Sequence, residues 1–168
     1  MKNVTFDHII SENKYLPCVS PYDPSRHRNG VLKIFRSRPD IFTRNEIVQL
    51  TKESKFSSKI NSKKIVVLAN DTVAGFIECL QSSQDVWTIN WLAVNEQFQR
   101  QGIGRQLVDS IFEWLRNKKV YCVFVETCGC DGEAPARAFY VNQGFAPVKT
   151  EKDGYAKGHS KITFIKNL

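Results

Sequence analysis

Residues 86–105 constrain this chain more than any other stretch. Val86-Trp87-Thr88-Ile89-Asn90-Trp91-Leu92-Ala93-Val94 is a β-rich apolar run; a polar turn follows, and Gly102-Ile103-Gly104 opens a helical pattern. From Ile103, apolar residues return at Leu107, Ile111 and Leu115, with Val108 and Phe112 alongside, the 3.6-residue period of an amphipathic helix. A strand, a glycine loop and a helix N-terminus in that order make an anion site. Glycine lets the backbone come close to a phosphate, and the N–H groups of the first helical turn have no partner within the helix. Arg100 and Arg105 flank the loop with positive charge. The plain alternative is a tight strand-to-helix turn that holds nothing.

Two nucleotide-binding patterns are set aside. Gly102-Ile103-Gly104 lacks the third glycine of the dinucleotide fingerprint, and no Gly-Lys-Ser/Thr follows as in a P-loop. Gln99-Arg100-Gln101-Gly102-Ile103-Gly104 instead resembles the Gln/Arg-x-x-Gly-x-Gly/Ala signature of the GNAT superfamily of acetyl-CoA-dependent N-acetyltransferases. In that family the preceding strand ends in a triplet like Leu92-Ala93-Val94. A second anchor lies downstream. Glu133-Ala134-Pro135-Ala136-Arg137-Ala138-Phe139-Tyr140-Val141-Asn142-Gln143-Gly144-Phe145 looks like the family's Asn-x-x-Ala-x-x-Phe-Tyr-x-x-x-Gly-Phe. Glu133 departs from the asparagine that binds the pantetheine arm in many members: a carboxylate accepts from an amide N–H but cannot donate. The two motifs frame an acetyl-CoA-binding core over residues 73–146.

Size and composition agree with such a protein. A chain of 168 residues is read as one domain, 1–168, and 42% hydrophobic with 24% charged residues is ordinary for a globular fold. A net charge of +7 suits anionic partners, and without a dense basic stripe a polyphosphate cofactor is preferred over nucleic acid or an acidic membrane. No apolar run approaches the ~20 residues of a membrane helix, and Lys2, Asp7 and His8 interrupt any secretory leader, so a cytoplasmic setting is expected. Five cysteines make an odd count. Cys128-Gly129-Cys130 has no second Cys/His pair at zinc spacing, so free thiols and no metal are expected.

Along the chain, residues 1–30 are the least readable. Val4–Ile10 is read as a short strand, Tyr15–Asn29 as a Pro- and Ser-rich loop, and Val31–Arg36 as a strand stopped by Arg38-Pro39. Thr43, with Glu46 three residues on, caps a helix continuing through Ile47, Leu50 and Lys55. Lys64–Ala69 and Val73–Gln81 form a hairpin through Asn70-Asp71, and a second turn leads into Val86–Val94, an antiparallel meander. The strand Val120–Thr127, reached through a helix, is expected to run parallel to Val86–Val94. Ala134–Gln143 is a helix ended by Gly144, and Phe145–Thr150 and Ile162–Lys166 close the sheet across a Lys152–Gly158 turn. The expected fold is mixed α/β: a mostly antiparallel central sheet, split beside its central strand and flanked by helices.

The resemblance implies the chemistry. Pantetheine would insert at the split, held by the backbone of Leu92, Ala93 and Val94. The pyrophosphate would lie on the N–H groups of Gln99, Arg100, Gln101, Gly102, Ile103, Gly104 and Arg105, with Glu133 and Ala136 also at the cofactor. Tyr140 would protonate the departing sulfur. The general base is open. The glutamate that some members carry on the central strand is Thr88 here, which leaves Glu78, Glu126 or a water; Asp85, Asp131 and Glu133 are candidate acids at the substrate. By strand alternation Thr88, Asn90 and Leu92 share one face, and Ile89, Trp91 and Ala93 the other. The expected partners are acetyl-CoA and an amine acceptor, small-molecule by preference; a protein or peptide acceptor, a non-catalytic acyl-CoA-binding module and a homodimer stay open.

Overall fold

The structure, a computed structural model, describes residues 17–39, 41–51 and 61–168. In chain order these form β1 (Cys18–Pro21), α1 (Pro24–Arg36), α2 (Arg44–Thr51), β2 (Ser62–Ala69), β3 (Thr72–Ser83) and β4 (Val86–Val94). After a short 3₁₀ turn come α3 (Ile103–Asn117), β5 (Cys122–Cys128), α4 (Ala134–Asn142), β6 (Ala146–Ala156) and β7 (His159–Asn167). The strands make one sheet in the order β1-β2-β3-β4-β5-β7-β6. Every neighbouring pair is antiparallel except β4 and β5.

The meander is local and obeys its turn chemistry. Asn70 and Asp71 both take positive φ, 48° and 59°, the conformation that a two-residue hairpin needs and that these side chains tolerate. The N-terminal third departs from the reading of its sequence. Within Tyr15–Asn29, expected as loop, Cys18–Pro21 is the edge strand β1 and Pro24–Asn29 opens α1, and Val31–Arg36 is helix of α1, not strand. Asp23 caps α1 by accepting from Ser25 N–H at 2.8 Å, and Pro24 takes the first helical position, where its missing N–H costs nothing. Counted from His27, the buried residues His27, Val31, Ile34 and Phe35 follow helical spacing; Val31–Arg36 alone is too short to show it. The helix expected from Thr43 is present as α2 over Arg44–Thr51, whereas its expected continuation to Lys55 and the strand Val4–Ile10 lie outside the described residues. The closing hairpin is longer than expected, with β6 and β7 running to a tight turn at Lys157-Gly158.

Two cores cover the two faces of the sheet. On one, Val31, Ile34 and Phe35 of α1 pack on Val66, Val73, Phe76 and Ala93, with Trp91 alongside. On the other, Ile103, Leu107, Ile111 and Leu115 of α3 and Tyr140 of α4 pack on Val67, Ile77, Trp87, Ile89, Val123 and Val125. Each large apolar side chain removed from water in this way contributes about 1.5–3 kcal/mol.

The faces of β4 are not those that simple alternation predicts. Glu78 pairs with Trp91 but its neighbour Cys79 pairs with Ile89, so Asn90 is an extra residue in β4. This bulge inverts the alternation. Trp87 and Ile89 face the α3 core, and beyond Asn90 it is Leu92 and Val94 that do so, while Trp91 and Ala93 turn to the α1 face. Ile89 therefore does not share a face with Trp91 and Ala93, as expected from the sequence.

Candidate functional site

The bulge lies where the sheet opens. Among the described residues β4 and β5 pair only at Thr88↔Phe124 and Ile89↔Val125; past these β5 continues along β7 while β4 continues along β3. Trp91–Val94 thus borders a cleft on its β5 side, with backbone groups available to an extended ligand.

At the C-terminal end of β4 the chain turns through Glu96–Phe98 and reaches α3. Phe98 is buried and anchors this turn. Gln97 N–H donates to the Asn95 side chain (3.2 Å), Gln99 Nε2 to Val94 O (3.4 Å) and Gln101 Nε2 to Gln97 O (3.0 Å), so the loop is held by its own amides. The side chains of Gln99 and Gln101 are therefore engaged within the loop. Arg100 and Gly102 adopt φ of 60° and 81°. Gly102 caps α3 without a side chain, and the first helical bond runs from Gln106 N–H to Gly102 O at 3.0 Å. The amides of Ile103, Gly104 and Arg105 ahead of it have no carbonyl within the helix to receive them. The Ile103 side chain is 1% exposed, inside the core, so only its backbone faces the loop. Gly104 is the close approach: a Cβ there would stand 3.2 Å from the Phe139 ring and 3.7 Å from Val94. Glycine at this position lets α3, α4 and the end of β4 converge. Arg105 is exposed and paired with Asp109 at 3.4 Å.

From the other side come β5 and α4. Glu133 ends a 3₁₀ turn and accepts from Thr127 Oγ1 at 2.7 Å, while Ala136 packs half-buried on the α3 core. Tyr140 is 7% exposed among Phe139, Phe145 and Phe164, with ring centroids 5.6 to 6.2 Å away. Burial first, then the charge of Glu133, pushes its phenol above the ordinary value. A phenol so placed stays protonated across the neutral range and can donate a hydrogen bond or a proton.

The two candidate bases are already partnered. Glu78 accepts from Asn90 Nδ2 at 2.9 Å and pairs with Lys64 at 3.4 Å. Glu126 pairs with Lys161 at 3.2 Å. Asp85 sits at φ 60° in the β3–β4 turn, and Asp131 is exposed in the 3₁₀ turn that ends at Glu133. The structure also brings together residues that no local motif announces. Arg137 Nη1 donates to the carbonyls of Cys128 (2.6 Å) and Cys130 (2.7 Å), and His159 Nδ1 lies 3.7 Å from Cys128 Sγ. Cys79, by contrast, is a core thiol that burial pushes up to about 12.

The sequence model of the acetyltransferase (GNAT) family matches residues 32–145, which include both motifs and the cleft. The chain belongs to the GNAT acetyltransferase family. Solved structures of GNAT proteins share its fold. A GNAT-family protein of Desulfovibrio desulfuricans superposes with a TM-score of 0.80 at 20% identity, over 90% of this chain and 99% of the other. The Escherichia coli ribosomal-protein-S18-alanine N-acetyltransferase gives 0.73 at 20% identity, over 91% and 94% of the two chains. An aminoglycoside 6'-N-acetyltransferase complexed with coenzyme A gives 0.74 at 13% identity, over 89% and 96%. No curated protein sequence matches the chain significantly. Among the described residues no helix is long and apolar enough to cross a membrane.

Proposed function

We propose that the protein transfers an acetyl group from acetyl-CoA to a primary amine of a small molecule, by direct attack in a ternary complex. The observation that carries this reading is the parting of β4 from β5 beyond Ile89, beside the side-chain-free N-terminus of α3. The cleft suits an extended pantetheine arm lying along Leu92–Val94 as a further strand would. The amides of Ile103, Gly104 and Arg105, which have no acceptor within α3, suit the pyrophosphate, with Arg100 and Arg105 adding charge.

In this reading the amine attacks the thioester carbonyl, the backbone of β4 stabilises the oxyanion, and the C–S bond breaks as coenzyme A leaves. Tyr140 supplies the proton, or a hydrogen bond, to the departing sulfur. Phenol and thiol have ordinary pKa values of about 10 and about 8.5, and burial raises the phenol further, so full transfer to the thiolate runs uphill and the role rests on a hydrogen bond that strengthens as charge gathers on the sulfur. An alkylamine of pKa ~10.4 enters protonated, and freeing it at pH 7 costs about 4.6 kcal/mol, which a base or the local field must offset. Glu78 and Glu126 are committed to lysines, which favours a water as the proton's first acceptor. Neighbours of this fold named for aminoglycoside and for ribosomal-protein acetylation define the competing acceptors.

Calorimetric titration with acetyl-CoA, followed by free-thiol release across a panel of small amines and peptide N-termini, tests the proposal. Binding with amine-dependent thiol release from small amines is the expected result. Peptide-only turnover would move the acceptor to protein, and binding without turnover on any amine would reduce the protein to an acyl-CoA-binding module.

A further inference from the structure

We propose that Cys128, Cys130 and His159 form a Zn²⁺ site at the end of the split sheet. Cys128 is the last residue of β5 and Cys130 leads into the 3₁₀ turn before α4. His159 opens β7, 31 residues beyond Cys128, and the β5–β7 register delivers it to the thiols. The Sγ atoms and one imidazole nitrogen all lie within 4.8 Å of one another.

The spacing is that of a coordination sphere. Zn–S of about 2.3 Å and Zn–N of about 2.0 Å at a tetrahedral angle place a sulfur and a nitrogen ligand roughly 3.5 Å apart. Cys128 Sγ and His159 Nδ1 are 3.7 Å apart. Two thiolates and an imidazole are also the donor set that zinc favours over hard cations. Cys128 and Cys130 are half-buried and His159 is exposed, so the open fourth position faces solvent and takes a water.

The frame around the donors is already fixed. Cys130 N–H points at Cys128 Sγ (3.1 Å), a bond that strengthens as the sulfur becomes a thiolate. The Arg137 guanidinium grips the carbonyls of both cysteines and places a positive charge beside a pair of anions. Gly129 N–H donates to Ser160 O at 2.8 Å, fastening the cysteine turn to the residue after His159. Such outer contacts orient metal ligands and hold their geometry. On binding, each thiol gives its proton to solvent as its Zn–S bond forms, the imidazole donates its free lone pair, and the site carries no net charge from metal plus thiolates. The ion would pin the β6–β7 hairpin to the end of β5.

The test uses the full chain, stripped of metal by chelator and titrated first with Co²⁺ and then with Zn²⁺. The expected result is one Co²⁺ per chain, with thiolate-to-cobalt charge transfer and the intense visible bands of a four-coordinate ion, displaced by one Zn²⁺. Cys128→Ser and Cys130→Ser should each weaken the charge-transfer band, and Cys122→Ser should leave it intact. His159→Gln, on an exposed hairpin, keeps the fold and should lower Zn²⁺ affinity at least about tenfold. Absence of the charge-transfer band overturns the site, as does its persistence in all three ligand variants or unchanged Zn²⁺ affinity in folded His159→Gln. A Cys128–Cys130 disulfide in freshly purified protein does so too.

Discussion

Asn90 donates its side-chain amide to the Glu78 carboxylate at 2.9 Å, across the ladder from the one residue that β4 has in excess. Lys64 reaches the other oxygen of Glu78 at 3.4 Å, so a strand on each side contributes to holding one largely buried acid. The bulge is thus fastened by a polar clamp, and the cleft opens on its far side. Glu78→Gln removes the ion pair and should destabilise the protein by about 1–3 kcal/mol. Urea denaturation measures the loss, and if a water is the first proton acceptor, as proposed, kcat in the remaining folded protein should stay within about threefold of wild type, far from the 10²–10⁴-fold of a general base.

Deletion of Asn90 should be far more damaging than its replacement. Without the extra residue Trp91 and Ala93 would take the α3 side and Leu92 and Val94 the α1 side, reversing every apolar contact of the strand's second half. The deletion protein should lose its cooperative thermal transition, while Asn90→Ser keeps it. A cooperative, wild-type-like melt from the deletion would show that the bulge does not set the faces of β4.

Tyr140→Phe keeps the ring among Phe139, Phe145 and Phe164 and removes the hydroxyl. If Tyr140 is the acid of the proposed reaction, kcat should fall by ~10²–10⁴-fold with acetyl-CoA affinity little changed. Turnover within about threefold of wild type in a folded, acetyl-CoA-binding variant leaves the ring a packing role alone.

The same phenol makes an alkaline prediction. Burial raises its folded pKa above the ordinary value, whereas the unfolded phenol ionises near pH ~10. Its contribution to stability is therefore complete below that pH and drains away as pH rises toward the folded value. Comparing urea midpoints at about pH 8 and about pH 11 should show a smaller alkaline loss in Tyr140→Phe than in wild type.

Gly104 separates steric from ligand effects by size. Its Cβ position stands 3.2 Å from the Phe139 ring, so alanine asks that ring to shift by a few tenths of an ångström. Valine adds two methyls to the same contact and should cost about 1–3 kcal/mol as α4 is pushed from α3. Acetyl-CoA affinity should fall in the order wild type, alanine, valine; an affinity that ignores the series would place the pyrophosphate elsewhere.

What could be read from residues alone was whatever repeats within one element. The Asn70-Asp71 hairpin, the α3 period from Ile103, Gly144 after α4 and the parallel partner of β4 all carry local signals, and the structure has them. The α1 helix escaped because its proline marks a helix start, not a loop, and its apolar period shows only when counted from His27. The Asn90 bulge escaped because one inserted residue leaves no trace in composition yet inverts everything after it. His159 escaped because its neighbours in space are fixed by strand register at a separation of 31 residues.

The two-pair contact between β4 and β5 also has a kinetic side. To its left stand four strands, β2, β3 and β4 joined by short turns and β1 set at the edge, to its right three strands closed by the β6–β7 hairpin, and α3 is the segment that leads from one group to the other. Two such groups are natural units of local opening, each with its own free energy. Amide exchange should accordingly resolve into two sets of protection, with the rungs at Thr88 and Ile89 exchanging alongside the weaker set. A ligand lying in the gap would have backbone on both banks, and its binding would draw the two sets into one.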